Sequence, residues 1–478
     1  MSVSLEIPRH EVQRRLAMDN PWWQAGRGLD SEEKDWPRRF FFAPFEALAR
    51  DRSVRRAVVL IGPRRVGKTV MLRQFVHGLL DSGVRGIDIL YLSLDTPLYA
   101  GRSLENLVRL FMETHSHGED EKTWVIFDEI QYLKDWGVHL KSLVDSYPDA
   151  RFIASGSAAA ALKMKSRESG AGRFTEFVLP PLTFAEFLNF TGREANLLLP
   201  FGQEGSIPWR CTDIEALNRE FVDYLNYGGF PEAVLNPRVR GNPSRFIGQD
   251  IVDKVLLKDL PSLYGITDTQ DLNRFFNVLA FNTGKELGLE ALYEHSGIGK
   301  QRISDYLEYL EAAYLIRRVH RIDDNAERLQ RARTFKVYLT NPSVRAALFG
   351  PVSAEDDAMG GLAETAVWGQ RLHSFDLSGA LHYARWKSGR ADLEVDIVGL
   401  EQGTQKPSLA VEVKWSDRIV EHPEELDGLL TLAMKHPLRS NPVVTTRTVT
   451  ELRRIRKVRV EFIPAAVYCY AIAKDSRR

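Results

Sequence analysis

Residues 62–69 read Gly-Pro-Arg-Arg-Val-Gly-Lys-Thr, a match without departure to the G-x-x-x-x-G-K-[ST] phosphate-loop pattern. The spacing has a chemical reason. Gly62 and Gly67 let the loop that opens at Pro63 fold so that the N–H groups of Arg64, Arg65 and Val66 form a nest around an anion, and a helix starting at Lys68 adds its positive dipole end. Lys68 is then placed to reach β- and γ-phosphates, and the Thr69 hydroxyl to ligate Mg²⁺. Farther along, Trp124-Val-Ile-Phe-Asp-Glu129 is an apolar strand ending in two acids. Asp128 is expected to hold Mg²⁺ through its water shell, and Glu129 to orient or deprotonate the attacking water. The next strand, 151–154, ends in Ser155-Gly156-Ser157, either a polar contact to the γ-phosphate or a plain turn. ATP and Mg²⁺ are the cofactors these residues imply.

A second constellation lies toward the C-terminus: Glu364 on a helical stretch, Asp396 in Glu-Val-Asp-Ile-Val, and Glu412-Val413-Lys414. Strand positions two apart face the same side, so Glu412 and Lys414 project together. An Asp and a Glu converging from adjacent strands can hold Mg²⁺, and a lysine beside them can work on water for attack on a phosphodiester. The plainer reading is a solvent-facing strand with a local ion pair.

Residues 289–320 offer a third feature. Ile303, Leu307, Leu310 and Tyr314 fall on one face at helical spacing, with Lys300, Gln301 and Arg302 opening the helix on the other side. A short preceding helix, the turn Ser296-Gly297-Ile298 and a wing strand at 315–320 complete a helix-turn-helix. Such a helix either reads a DNA major groove or only joins domains, the latter favoured by Asp305, Glu308 and Glu311.

The elements that must position these residues follow from periodicity. Strands at 57–61, 87–94, 124–127 and 151–154 alternate with helical patterns, which indicates a parallel sheet with helices on both faces. Helices follow Pro180-Pro181, and mixed strands resume beyond Thr334 at 335–339, 381–386, 393–398, 409–413 and 458–463. The expected division is an N-terminal arm (1–50), a P-loop core (51–182), a helical lid (183–243), a winged-helix-like segment (244–325) and a C-terminal α/β domain (326–478).

Composition narrows the class. The 478 residues are 44% apolar and 27% charged, an ordinary globular balance. Lys+Arg and Asp+Glu are both 64, so any nucleic-acid surface must be a local patch. Cys211 and Cys469 are too few for a disulfide framework, the first ten residues lack an apolar signal core, and no apolar run approaches bilayer length. A cytoplasmic protein without a membrane segment is the expectation.

Taken together, G-P-R-R-V-G-K-T, F-D-E-I-Q-Y, S-G-S, G-R-F, Y-G-G-F-P-E, E-V-D-I and V-E-V-K resemble the AAA-type P-loop ATPases of bacteria and archaea that carry a C-terminal domain of unknown function. The resemblance covers roughly residues 50–430 and implies an α/β multidomain fold: a doubly wound ATPase domain with helical lid, a winged helix, and a restriction-endonuclease-like C-terminal domain. It makes Asp128-Glu129 the acidic pair, Ser155 or Ser157 the polar sensor, and Arg173 an arginine finger, with Arg167 as competitor. Fingers often act on a neighbouring subunit, which implies a homo-oligomer. Glu364, Asp396, Glu412 and Lys414 then resemble a D…E-x-K nuclease site, with DNA the expected partner. The competing function is a slow nucleotide-dependent switch or scaffold whose C-terminal domain is inert and binds a protein.

Overall fold

The computed structural model describes residues 8–24, 32–99, 101–157, 172–201, 207–326, 334–372 and 381–475. It divides into two compact units, 1–180 and 181–478.

In the first unit, β1 (Ala57–Gly62), β2 (Ile89–Ser93), β3 (Trp124–Asp128), β4 (Arg151–Ser157) and β5 (Phe174–Val178) form a wholly parallel sheet in the order β2-β3-β4-β1-β5. β1, β3 and β4 are buried along their whole length, as a sheet covered on both faces requires. Helices α3 (Lys68–Asp81), α4 (Leu104–His115) and α5 (Trp136–Ser146) lie in the crossovers that parallel strands need. β5 was not anticipated; it is an edge strand, mostly half-buried, and carries no continuous apolar run.

The N-terminal arm contains α1 (Arg9–Asp19) and α2 (Phe42–Arg50), and Val12 and Leu16 of α1 are part of the sheet's apolar core. Beyond α1 the arm covers the open edge of β2. Asn20 accepts from the Tyr91 N–H at 2.6 Å and donates to the Tyr91 carbonyl at 2.9 Å. The indoles of Trp22 and Trp23 donate to the Ile89 carbonyl at 3.1 and 2.8 Å. At Ile89 and Tyr91 side chains thus stand in for a missing neighbour strand.

The second unit holds a short antiparallel pair, β6 (Leu198–Pro200) and β7 (Trp209–Cys211), and a mixed nine-stranded sheet. Its strands are β8 (Glu286–Gly288), β9 (Ile316–Ile322), β10 (Thr334–Leu339), β11 (Leu381–Ser388), β12 (Ala391–Leu400), β13 (Pro407–Glu412), β14 (Val443–Thr446), β15 (Glu451–Ile455) and β16 (Val458–Pro464). They run in the order β15-β16-β14-β13-β12-β11-β9-β10-β8. The helix Asp427–Lys435 lies in the crossover between parallel strands β13 and β14.

Two expected boundaries are corrected. The division at 325/326 falls between β9 and β10, which pair antiparallel with Val337 opposite Arg318, so one sheet runs through it. The helices Phe184–Phe190 and Ile214–Tyr227, expected as a separate lid, pack on the helix Ala465–Asp475. Gln370 ties them in, accepting from the Phe184 N–H and donating to the Tyr224 hydroxyl, each at 2.9 Å.

Asn20 is wholly buried, so Asn20→Ala leaves the Tyr91 amide and carbonyl unpaired. The first unit should lose about 1–3 kcal/mol. Denaturant unfolding followed by tryptophan fluorescence should show a lower midpoint for that unit; an unchanged midpoint would remove Asn20 from the edge-capping role.

Candidate functional site

The carboxyl ends of β1, β3 and β4 meet at one point. β1 ends at Gly62, and α3 begins at Lys68 behind a left-handed Gly67 with φ 97°. Gly62 has no room for a side chain, since a Cβ there would meet the Leu179 carbonyl oxygen at 2.2 Å. The Lys68 ammonium crosses the loop, donating to the carbonyls of Gly62 at 3.0 Å and Pro63 at 2.8 Å. Arg64 is half-buried and Arg65 exposed, the latter with φ 60°. Arg39, which sequence reading passed over, pins the loop from below, donating to the Val66 carbonyl at 2.6 Å and that of Pro180 at 2.9 Å.

Asp128, at the end of β3, is 1% exposed and is surrounded by hydroxyl donors. Thr69 Oγ1 donates to its Oδ2 at 2.8 Å, Tyr91 to the same oxygen at 2.7 Å, and Ser155 Oγ to Oδ1. Burial, then the Asp128 charge, push the Tyr91 phenol well above its ordinary pKa, so it remains a donor. Ser155 also accepts from the Glu129 N–H at 3.1 Å. Its single proton is directed to Asp128, so in this arrangement Ser155 holds both members of the acidic pair.

Glu129 is held in the left-handed region at φ 56°. Gln131 Nε2 donates to its carboxylate, while Gln131 Oε1 accepts from the Ser157 N–H at 3.0 Å. The Glu129 carboxylate is therefore tied to β4 through Gln131, another residue whose role sequence reading did not assign. Thr69 Oγ1 and Asp128 Oδ2, two hard oxygens in contact beside a backbone nest and an ammonium, fit a Mg²⁺–nucleotide.

Comparison with known proteins bears on this geometry. The family model described as AAA domain matches residues 54–188, the segment that carries the loop, the acidic pair and all five strands of the sheet. Residues 54–188 are an AAA-type P-loop domain. A domain of unknown function (DUF8612) matches residues 218–355. An uncharacterised protein of Haemophilus influenzae is 26% identical over 55% of this chain and 62% of its own length. Uncharacterised protein MJ1637 of Methanocaldococcus jannaschii is 24% identical over 65% of this chain and 66% of its own. The chain thus spans less than two thirds of either relative. A structure of the yeast Hsp104–casein complex in its extended conformation aligns at TM-score 0.27 and 14% identity, over 54% of this chain and 47% of that one, too low to carry a fold assignment. No helix among the described residues is long and apolar enough to cross a membrane.

Arg173 of the AAA domain sits at the opposite edge of the sheet from the loop. Its carbonyl accepts from the Ala57 N–H at 2.9 Å, at the start of β1, whereas the loop follows the end of β1. Five residues of strand separate the two ends, roughly 16 Å. Its guanidinium pairs with Asp145 at 2.6 Å. Arg173 therefore does not reach its own loop. Arg167 lies outside the described residues. Another acidic group in this unit, Asp88 with His117 and Glu121, is an ion-pair network rather than a metal seat, because Arg85 binds both Asp88 oxygens at 2.7 and 2.8 Å.

In the second unit the four C-terminal candidates come together. Ile397 pairs with Val411 antiparallel, which sets Asp396 across from Glu412. Lys414 donates to Glu412 Oε1 at 2.7 Å and lies 3.9 Å from Asp396 Oδ2. Glu412 Oε2 is buried with no hydrogen-bond partner, an orphaned hard oxygen that fits a divalent cation. Glu364 enters through groups that sequence reading missed: Lys336 Nζ at 2.9 Å and the Tyr338 hydroxyl at 2.5 Å, both from β10. Lys336 also contacts Glu394 at 2.7 Å and Asp396 at 3.3 Å. At the start of the helix Lys300–Ala312, Lys300 is engaged by Glu290 at 2.6 Å and Gln301 by Asp305 at 3.0 Å.

Charge in this cluster is unevenly shared. Burial and the Asp396 carboxylate push Glu412 up to about 8, despite the Lys414 contact, and Glu364 up to about 7. Burial opposes it, yet Lys336 and Lys414 hold Asp396 below its ordinary value. Burial likewise works against the Lys336 charge, but Asp396 and the other acids raise its pKa and keep it an ammonium.

A pH dependence follows. Folded Glu412 keeps its proton up to about 8, against 4.5 for an ordinary glutamate, so between those values the folded chain binds the extra proton and stability falls as pH rises. Glu412→Gln should flatten the slope of unfolding free energy across that window. An unchanged slope in denaturant titrations would show that Glu412 titrates normally.

Proposed function

We propose that the chain is a Mg²⁺-dependent ATPase that acts on DNA, with a nuclease-type metal site in its second unit. The ATPase reading is carried by the meeting of Lys68, Thr69, Asp128 and Glu129 at the carboxyl edge of one parallel sheet. Lys68 and the loop amides bind the phosphates, Thr69 and Asp128 seat the metal, and Glu129 takes or orients the proton of the attacking water. Bound Mg²⁺ supplies charge neutralisation on the transferring phosphoryl group. Arg173, remote from its own loop, serves the site of a neighbouring copy, which makes the working form an oligomer.

DNA is proposed on two supports: a winged-helix arrangement, in which the helices Leu289–Ser296 and Lys300–Ala312 precede paired β9 and β10, and the Asp396–Glu412–Lys414 cluster. There Asp396 and Glu412 would hold Mg²⁺, and Lys414 would work on the water. The rival, a nucleotide-dependent switch with an inert second unit, is favoured by one observation, the Lys336 ammonium lodged among the acids.

Lys68→Ala should lose nucleotide binding and hydrolysis, whereas Glu129→Gln should retain ATP and stall turnover by roughly 100-fold or more. Wild-type turnover in Glu129→Gln would refute the assignment of the base. Mixing Lys68→Ala with Arg173→Ala should restore part of the ATPase, because mixed oligomers contain sites with an intact loop and an intact finger.

With Mg²⁺ or Mn²⁺, the wild-type chain should nick or degrade some substrate in a panel of single-stranded, duplex and branched DNA. Asp396→Asn and Lys414→Ala should abolish cutting and leave ATPase in place. Cutting that survives both changes, or no cutting at all, would favour the rival.

A further inference from the structure

Lys336 has no place in the D…E-x-K pattern, yet it occupies the acid cluster more fully than any other cation. Its ammonium is 2.9 Å from Glu364 Oε1, 2.7 Å from Glu394 Oε1 and 3.3 Å from Asp396 Oδ1. An ammonium has three N–H donors. Three carboxylate oxygens take them, so Lys336 has none to offer a phosphate or a water. It is also 4% exposed, with the Tyr383 ring centroid 5.5 Å from its Nζ. A donor role in chemistry is therefore closed to it, and what remains is its charge.

The cluster is asymmetric. On the Glu412 side one buried carboxylate oxygen has no partner among the described residues, and Lys414 donates to the other oxygen. On the Glu364 side the same kind of seat is filled by the protein's own cation, with Tyr338 fixing the shared oxygen. We propose that Lys336 is a resident cation at the Glu364 side of this cluster, so that the wild-type chain takes one divalent ion fewer than its carboxylates can hold. Glu364 is then a ligand of Lys336 and not of the metal. The inference rests on reading Asp396 and Glu412 as metal ligands, and it makes the site a one-metal site. Because β10 pairs with β9 and β8, the lysine belongs to the sheet segment beside the helix-turn-helix rather than to the strands that carry the other acids.

The test is Mn²⁺ binding to the nucleotide-free full chain, counted by calorimetry and by the paramagnetic signal of free Mn²⁺. Asp396→Asn first reports how many ions the wild-type cluster holds. Should wild type and Asp396→Asn bind equally, the metal-ligand reading fails while the count for Lys336 can still be made. Lys336→Met removes the ammonium and leaves the Glu364 side unfilled; it should bind one more Mn²⁺ per chain than wild type and show a larger rise in Tm on Mn²⁺ addition. A folded Lys336→Met with the wild-type count overturns the proposal. If that variant does not fold, Glu364→Gln decides: its Mn²⁺ count and affinity should match wild type within about twofold, well short of the roughly tenfold or greater loss that follows even when a supporting partner of a metal ligand is removed. Loss of an ion in Glu364→Gln would put the metal, not Lys336, on Glu364.

Discussion

Asp128 is a carboxylate buried at the end of a strand, and its need for donors organises the first unit. A charge in that position is costly unless each oxygen is hydrogen-bonded. Three hydroxyls meet the need, from the loop helix (Thr69), the edge strand (Tyr91) and the strand on the other side (Ser155). Each donor comes from a different element, so the carboxylate is in register only when β2, β3, β4 and α3 are all in place. The same set leaves Thr69 and Asp128 in contact on the side where the phosphate loop opens. Satisfying the buried charge and preparing a metal seat are thus one arrangement.

The second unit meets a similar demand with cations. Strand periodicity delivers its residues in pairs two apart: Lys336 with Tyr338, Glu394 with Asp396, Glu412 with Lys414. Each pair adds two polar groups to one face of the sheet. The three carboxylates of these pairs, joined by Glu364 from the helix Met359–Leu372, would repel one another strongly, and the two lysines lower that repulsion unequally. Asp396 lies between both ammonium groups and stays below its ordinary pKa, while Glu364 and Glu412 are pushed above theirs.

What could be read in the sequence follows from how local each feature is. The phosphate loop and the acidic pair sit on contiguous stretches whose chemistry demands fixed residue types, and the strands that carry them are long apolar runs. Arg39, Tyr91 and Lys336 are different, because their partners lie 27, 37 and 28 or more residues away. Lys336 left one faint local trace, a lysine inside the otherwise apolar Phe-Lys-Val-Tyr-Leu strand. Val443–Thr446 is buried throughout but only four residues long, and Phe174–Val178 has a single buried position, so neither lets a period register. The break expected at 325/326 rested on a change from helical to mixed patterns, but β9 and β10 pair across it, and backbone pairing leaves no mark in such patterns.

The N-terminal arm gains a meaning from Tyr91. That residue's backbone is held by Asn20, and its hydroxyl donates to Asp128. Edge protection and site chemistry therefore share a single residue. An edge strand is ordinarily the least constrained part of a sheet, since half its backbone groups have no partner. Here the arm supplies those partners at the one position whose side chain touches the buried acid, and Trp22 and Trp23 repeat the device two residues earlier at Ile89. The aromatic, arginine-rich opening of the chain has no clean period because it was never a free-standing element. Asn20, Trp22 and Trp23 are spaced to match the backbone groups of β2, and through Tyr91 that match bears on how firmly Asp128 is held.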